Sequence, residues 1–165
     1  MSVGISLEER VAWNEEAAAF WKQHFEANPA QLELACGIGG AATVQDFVRH
    51  IWAVELRWSQ RVAELAVTAP GDFPTGPLAA LYELHQQAMT ICRGLIGNPE
   101  QDWSRTVRIE ADWLPPSLRQ GTCRKLMAHG LLHSQRHWAQ MATLLRTAGH
   151  PTSFRGDLLF SSALQ

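Results

Sequence analysis

With 165 residues, the chain is long enough for one full hydrophobic core and too short for two domains of ordinary size, so we expect a single domain over residues 1–165. A formal net charge of −2 without any lysine- or arginine-rich run argues against nucleic acid as a partner, and the lack of an apolar run near ~20 residues argues against a membrane span. Three widely separated cysteines without a C-x-x-C motif are typical of a reducing cytoplasm, where we expect the protein to act.

The first predicted helix begins at a capping box formed by Ser6 and Glu9, and its amphipathic pattern continues to about Asn28. Apolar residues recur there at alternating spacings of three and four, as one face of a helix requires. The following segment, residues 29–40, contains three glycines and predicts a connection with a sharp bend.

The second predicted helix begins at another capping box, Thr43 with Asp46, and we expect it to run to about Val67, before Pro70 and Gly71. Its apolar stripe consists of Phe47, Ile51, Val54, Trp58, Val62 and Leu65. A histidine, His50, flanks this stripe one turn into the helix.

A carboxylate, Glu55, falls inside the apolar stripe of the second helix. Burying a carboxylate is costly unless it meets a cation, a metal or several hydrogen-bond donors. We therefore predict that Glu55 orients a metal-ligating imidazole or acts catalytically as a proton acceptor near the metal. The alternative is an ion pair with an arginine of a neighbouring helix.

The third helix is predicted from residue 77 or 78 to about Ile96, because a Gly-Asn-Pro run follows. His85 lies on its inward face. Between residues 102 and 116 the apolar period changes from helical to alternating, with Val107 and Ile109 separated by a charged residue. This pattern predicts a short strand or hairpin bounded by Trp103 and Trp113.

The fourth helix is predicted from Leu118 to about Ala148, with Ser117 and Gln120 as its capping box and Gly149 as its C-terminal cap. The tail that follows carries a short apolar group, residues 158–160, which either folds back on the bundle or packs on a second subunit. Four amphipathic segments with long connections indicate an all-α fold, a four-helix bundle.

Histidines recur every four residues in the fourth helix, at His129, His133 and His137. Two imidazoles at this spacing can bind one metal ion, because both rings point to the same side of the helix. A helical projection leaves His129 at the edge of the inward stripe. The projection gives the inward stripe as Leu126, Gly130, His133, His137, Met141, Leu144 and Ala148, and the solvent side as Arg124, Gln135, Ala139 and Arg146.

The alternative for the inward pair is two core histidines that hydrogen-bond to neighbouring helices, since an unpartnered buried imidazole nitrogen costs roughly 1 to 3 kcal/mol. A third histidine from elsewhere in the chain would favour the metal site. The residues alone leave both His50 and His85 open as that third ligand.

Three motifs give the chain a family resemblance that covers most of its length. They are H-I-W-A-V-E-L-R-W at residues 50–58, H-S-Q-R-H-W-A-Q at 133–140 and G-D-L-L-F at 156–160. On these motifs the chain resembles the DinB/YfiT-like superfamily of metal-dependent proteins, named for DNA-damage-inducible bacterial members. The resemblance implies a four-helix bundle, usually a homodimer.

The resemblance also implies a divalent metal held by His50, His133 and His137, so it selects His50 over His85. The family's usual wording of the last motif is H-x-x-H-H-R-G-Q. This chain departs from that wording at Arg136, Trp138 and Ala139, which alters the wall of the implied site and not its ligands.

Three neutral imidazoles on one side of a metal leave coordination positions open, as catalytic sites do, and zinc, nickel and iron all accept such ligands. We therefore predict a metal-dependent enzyme acting on a small molecule, either by hydrolysis with an activated water or by thiol S-transfer. A bacterial low-molecular-weight thiol is a cofactor that the resemblance implies.

Arginines near the predicted site, Arg49, Arg57 and Arg136, are candidates to meet a carboxylate on the substrate. The alternatives to an enzyme are a non-catalytic metal-binding or stress-related interaction protein built on the same bundle, and a bundle that binds no metal.

Overall fold

The computed structural model describes residues 4–110 and 114–163. These residues form four α-helices and a small antiparallel hairpin, which confirms the predicted helical bundle with a hairpin between its third and fourth helices. The elements are α1 (Leu7–Ala27), α2 (Val44–Val62), α3 (Leu78–Ile96), β1 (Thr106–Arg108), β2 (Gln120–Thr122) and α4 (Cys123–Thr147).

The first two helices begin at the predicted capping boxes. The Glu9 backbone N–H donates to Ser6 Oγ over 3.1 Å, and the Ser6 N–H donates back to the Glu9 carboxylate over 2.6 Å. In α2, Thr43 and Asp46 make the same reciprocal pair at 3.1 and 3.2 Å. Each box satisfies backbone donors that the first turn of a helix leaves free.

The second helix ends at Val62, five residues before the predicted end at Val67, because tertiary contacts stop it. Glu64 adopts a left-handed φ of 57°, which ends the helical path. Arg105 donates to the freed Val62 carbonyl over 2.7 Å. Leu65, predicted to lie on the inward stripe, is consequently 51% exposed.

The fourth helix begins at Cys123, so the predicted start at Leu118 with Ser117 and Gln120 as a capping box is wrong. Residues 120–122 instead pair with 106–108 as an antiparallel hairpin, and Thr122 caps the helix by accepting the Lys125 N–H at 3.2 Å. The C-terminal prediction is confirmed, because Gly149 has a φ of 85° and donates to the Arg146 carbonyl.

The hairpin itself follows the predicted alternation. Val107 and Ile109 are both buried against the core, and the Ile109 N–H extends the pairing by donating to the Arg119 carbonyl over 2.8 Å. Trp103 packs at the edge of the core, whereas Trp113, predicted as the other boundary, lies outside the described residues.

The bundle is arranged so that α2 packs mainly against α3 and α4, while α1 packs against the same two helices from the other side. Aromatic rings fill the space between them. The fully buried indole of Trp138 stacks on Trp21 at 5.4 Å between ring centroids and meets Trp52 edge-on at 5.8 Å. Large planar side chains therefore hold α1, α2 and α4 at fixed separations.

The core also contains a polar pair that joins α1 to α4. Gln135, predicted to face solvent, is buried and donates to Asn14 Oδ1 over 2.8 Å, and Asn14 in turn donates to the Leu131 carbonyl over 3.0 Å. Conversely, Ala148, predicted to face inward, is exposed. The buried face of α4 is thus rotated from the predicted stripe toward Leu131 and Gln135.

A glycine sets the distance between α2 and α4. A Cβ atom added at Gly130 would lie 3.0 Å from Trp58 Cβ, which is tighter than ordinary van der Waals contact. The two helices can lie close together at Gly130 because α4 has no side chain at that position.

The tail after α4 folds along α1. Phe154 packs on Trp21 at 5.0 Å between centroids, and Ser161 donates to the Glu16 carboxylate over 2.5 Å. The apolar group at residues 158–160 forms a short 3-10 turn in which Leu159 is 86% exposed, so this turn does not bury that side chain against the bundle. Among the described residues, no helix combines the length and hydropathy needed to cross a bilayer.

We expect Gly130→Val to destabilise the protein by about 1 to 3 kcal/mol, because the added methyl groups must displace Trp58 or the helix. Gly94→Val in α3 is the matched control, since a Cβ at Gly94 meets nothing within 4 Å. Urea unfolding of both variants measures the difference. Equal midpoints for the two variants would contradict the close approach.

Candidate metal centre

Three histidines from two helices converge at one point of the bundle. His50 comes from α2, and His133 and His137 come from successive turns of α4. One ring nitrogen from each lies within 4.8 Å of the other two. The ring centroids of the α4 pair are 4.2 Å apart, and each is 5.2 Å from that of His50. The structure therefore brings together the three predicted site histidines.

Hydrogen bonds fix which nitrogen of His137 carries its proton. Nδ1 lies 2.6 Å from Gln140 Oε1, and an amide oxygen only accepts, so Nδ1 is the donor. The lone pair of Nε2 then faces His133 Nε2 at 2.9 Å. Arg136 Nη2 also approaches His137 Nε2, at 3.2 Å. A ring fixed in this way presents a lone pair to the centre of the cluster.

The second imidazole of the pair is incompletely satisfied. Because the facing His137 nitrogen is an acceptor, His133 Nε2 is the donor between them in the metal-free form, and its buried Nδ1 has no hydrogen-bond partner among the described residues. Ligation of a metal through Nε2 would require the proton to move to Nδ1. Two nitrogens that ligate one metal at about 2.1 Å lie about 3.0 to 3.4 Å apart. The observed 2.9 Å between the two Nε2 atoms is close to that spacing. The three imidazoles thus suit a divalent cation, because their ring nitrogens are suitable ligands and lie at suitable distances from one another.

Burial keeps all three imidazoles neutral. Burial is the largest cause that lowers the pKa of His50, with the nearby His137 and Arg136 adding to it. Burial also lowers the pKa of His137, and it lowers the pKa of His133, followed by the neighbouring rings, to about 3. Neutral imidazole is the form that ligates metals.

Two supporting residues were not identified from the sequence. Phe47 meets His137 edge-on at 5.0 Å between centroids and lies parallel to His50 at 6.3 Å, so it packs against both rings. Gln140 fixes the proton of His137. Both stand three residues from a site histidine, and that spacing on a helix is the signal that would have found them.

Two cavities adjoin the histidine cluster, and His50, Val54 and Arg57 line both of them. The first has a volume of about 340 Å³ and extends toward Asp46 and the loop before α2. The second has a volume of about 360 Å³ and extends along α4 and the end of β1. These volumes are in the range of small-molecule sites, so a small reactant has room beside the imidazoles.

The other candidate residues take different places. His129 is exposed, contacts Trp58 edge-on at 5.2 Å and lines the second cavity without joining the cluster. Glu55 and His85 are both buried and meet at 2.7 Å, Oε2 to Nδ1. The partner of Glu55 is therefore a histidine of α3 and not an arginine, and neither member of this pair lines the two cavities.

Comparison with known proteins gives one match to a family. The model of the DinB family matches residues 1–159, which is nearly the whole chain. No curated protein matches the chain significantly.

We expect the metal-free protein to lose stability as the pH falls below 6.5. Between pH 6.5 and about 3 the unfolded chain binds a proton at residue 133 and the folded chain does not, so acid favours unfolding. One such group contributes at most about 1.4 kcal/mol per pH unit, and partial exposure makes the contribution smaller. His133→Gln should flatten the dependence of the unfolding free energy on pH.

The matched control for this titration is His150→Gln, which changes an exposed histidine just after α4 and should keep the wild-type slope. Urea unfolding at a series of pH values provides the measurement. Identical slopes for the wild type and His133→Gln would show that this ring is not held neutral by burial.

Proposed function

Because this chain belongs to the DinB family, we propose that it is a divalent-metal-dependent enzyme that acts on a small molecule, with His50, His133 and His137 as the protein ligands. The observation that carries the proposal is the convergence of three neutral imidazoles beside two cavities. A structural metal site is usually closed by four protein ligands, whereas a catalytic site keeps positions for reactants.

A zinc, nickel or iron ion bound there would supply Lewis acidity at an open position, which makes a water or a thiol more acidic. The chain's own residues prepare that position. Gln140 keeps the lone pair of His137 directed at the centre, and Phe47 limits rotation of two of the rings. Such fixed ligands need little reorganisation when the reaction occurs.

The proposed reaction is therefore either hydrolysis or S-transfer with a low-molecular-weight thiol as cosubstrate. Both use the same three ligands and the same cavities. The adjoining cavities favour an enzyme over a non-catalytic metal-binding or stress-related protein, because such a protein needs no room for a reactant.

A catalytic role for Glu55 remains a prediction. Its contact with His85 favours a positioning role instead, because the buried pair connects α2 to α3 about one turn beyond His50.

We expect His50→Ala, His133→Ala and His137→Ala each to weaken zinc binding by more than about 100-fold, because two imidazoles rarely retain a divalent ion. His129→Ala is the matched control, since it removes an imidazole one turn away on the same helix and should bind zinc like the wild type. Isothermal titration with zinc and with nickel measures the affinities. Loss of binding in His129→Ala alone would place the metal elsewhere.

We expect any thiol-conjugating or hydrolytic activity of the purified protein to be lost after chelation and restored by added metal. Parallel panels of thiol acceptors and hydrolase substrates, each run with and without chelator, provide the measurement. His150→Ala, which changes an exposed histidine beyond α4, should keep its activity, whereas His137→Ala should lose it. Activity that is indifferent to chelation would contradict a metal-dependent mechanism.

A further inference from the structure

The second cavity has a positively charged wall. Of its described lining residues, Arg57, Arg61 and Arg136 are cationic, and only Glu110 is acidic. The same cavity is lined by His50 and His133, so the charge lies next to the candidate metal centre. The chain as a whole has a net charge of −2, so the excess of positive charge is local to this cavity wall.

These arginines make no ion pair with any described carboxylate. Arg57 Nε is buried and has no hydrogen-bond partner in the described part of the chain. Arg61 lies over the Trp58 ring at 5.0 Å and donates to the Arg57 carbonyl over 3.3 Å. Burial, followed by the charge of Arg57, lowers the pKa of the Arg61 guanidinium. Among the described residues, the polar contact of the Arg136 side chain is the one with His137 Nε2.

Three other arginines form ion pairs with carboxylates. Arg49, also on α2, is 3.1 Å from Asp46, and Arg93 and Arg105 pair with Glu15 and Glu64. Arg57 lines the cavity, and no described carboxylate balances its charge. Because its Nε is closed off, an anion in the cavity would meet the terminal nitrogens of this guanidinium.

We propose that the second cavity binds the carboxylate of a small organic anion, with Arg57 as the principal contact and Arg136 as the second. The planar fork of a guanidinium matches a carboxylate with two parallel hydrogen bonds. Val54, Trp58 and Ile109 line the rest of the cavity and provide an apolar surface for the body of the ligand. Inorganic anions cannot use that surface.

This site gives the proposed enzyme a two-point contact with its substrate. An anion seated on Arg57 extends toward His50 and His133, since these residues line the same cavity. The identification of the anion as a substrate depends on the function proposed above, whereas binding of the anion does not require a metal. A volume of about 360 Å³ admits a single-ring acid and excludes a macromolecule.

The test uses the full-length, metal-free protein titrated with benzoate, benzamide and acetate by isothermal calorimetry. Benzoate should bind at least about tenfold more tightly than benzamide, which has the same shape without the charge, and more tightly than acetate, which lacks the apolar body. Equal binding of benzoate and benzamide would overturn the proposal, as would acetate binding as tightly as benzoate.

Variants locate the contact. Arg57→Gln should weaken benzoate binding at least about tenfold, while Arg49→Gln, the matched control on the same helix, should leave it unchanged. Arg57→Gln should melt no lower than the wild type, because it removes an unpaired buried group. If it fails to fold, the exposed Arg136→Gln serves instead and should weaken binding at least about threefold. Loss in Arg49→Gln, or none in the folded variants, would overturn the proposal.

Zinc titrations separate this proposal from the metal function. Protein that binds benzoate but no zinc retains the anion site and refutes the proposed metal enzyme. Protein that binds zinc but discriminates poorly between benzoate and benzamide retains the metal function and refutes the anion site.

Discussion

The close approach of α2 and α4 at Gly130 is the constraint on which the candidate site depends. Trp58 occupies the space that a side chain at position 130 would take, so the backbones lie near each other at that level. His50 stands about two turns before Trp58, and His133 about one turn after Gly130. With the helices at this spacing, rings from the two elements come within ligand distance. The neutral state of the imidazoles and their contact with each other both follow from that geometry.

The bundle contains two kinds of buried histidine, and the contrast between them shows what a site requires. His85 is enclosed and satisfied by Glu55, so it completes the core and has no access to either cavity. Two of the clustered rings, those of His50 and His133, line the cavities, so a ligand in a cavity can reach the cluster. Access to a cavity, and not burial alone, distinguishes a site histidine from a core histidine.

Much of the bundle could be predicted because the relevant signals are local. The capping boxes of α1 and α2 lie within four residues of sequence, and the i, i+4 spacing of His133 and His137 fixes their common side. The start of α4 was missed because pairing of residues 120–122 with 106–108 joins distant segments. The end of α2 was missed for the same reason, since Arg105, the residue just before β1, caps it.

The burial of Gln135 illustrates the limit of a projection of one helix. Its partner, Asn14, is on α1, and nothing on α4 indicates that a polar residue will find a matching amide there. A projection of one helix also could not decide between His50 and His85 as the third ligand, because both lie toward the interior on their own helices. Only the packing of α2 against α4 decides which one meets the pair.

The order of the helices along the chain has a thermodynamic consequence for the cluster. His50 belongs to the second helix and its two partners to the last, with the whole of α3 and the hairpin between them. An ion held by all three would need both helices in their folded positions, so it would stabilise the native state and not the unfolded chain. Occupancy would then be linked to the global folding equilibrium, so that loss of the ion would leave a larger fraction of the chain unfolded.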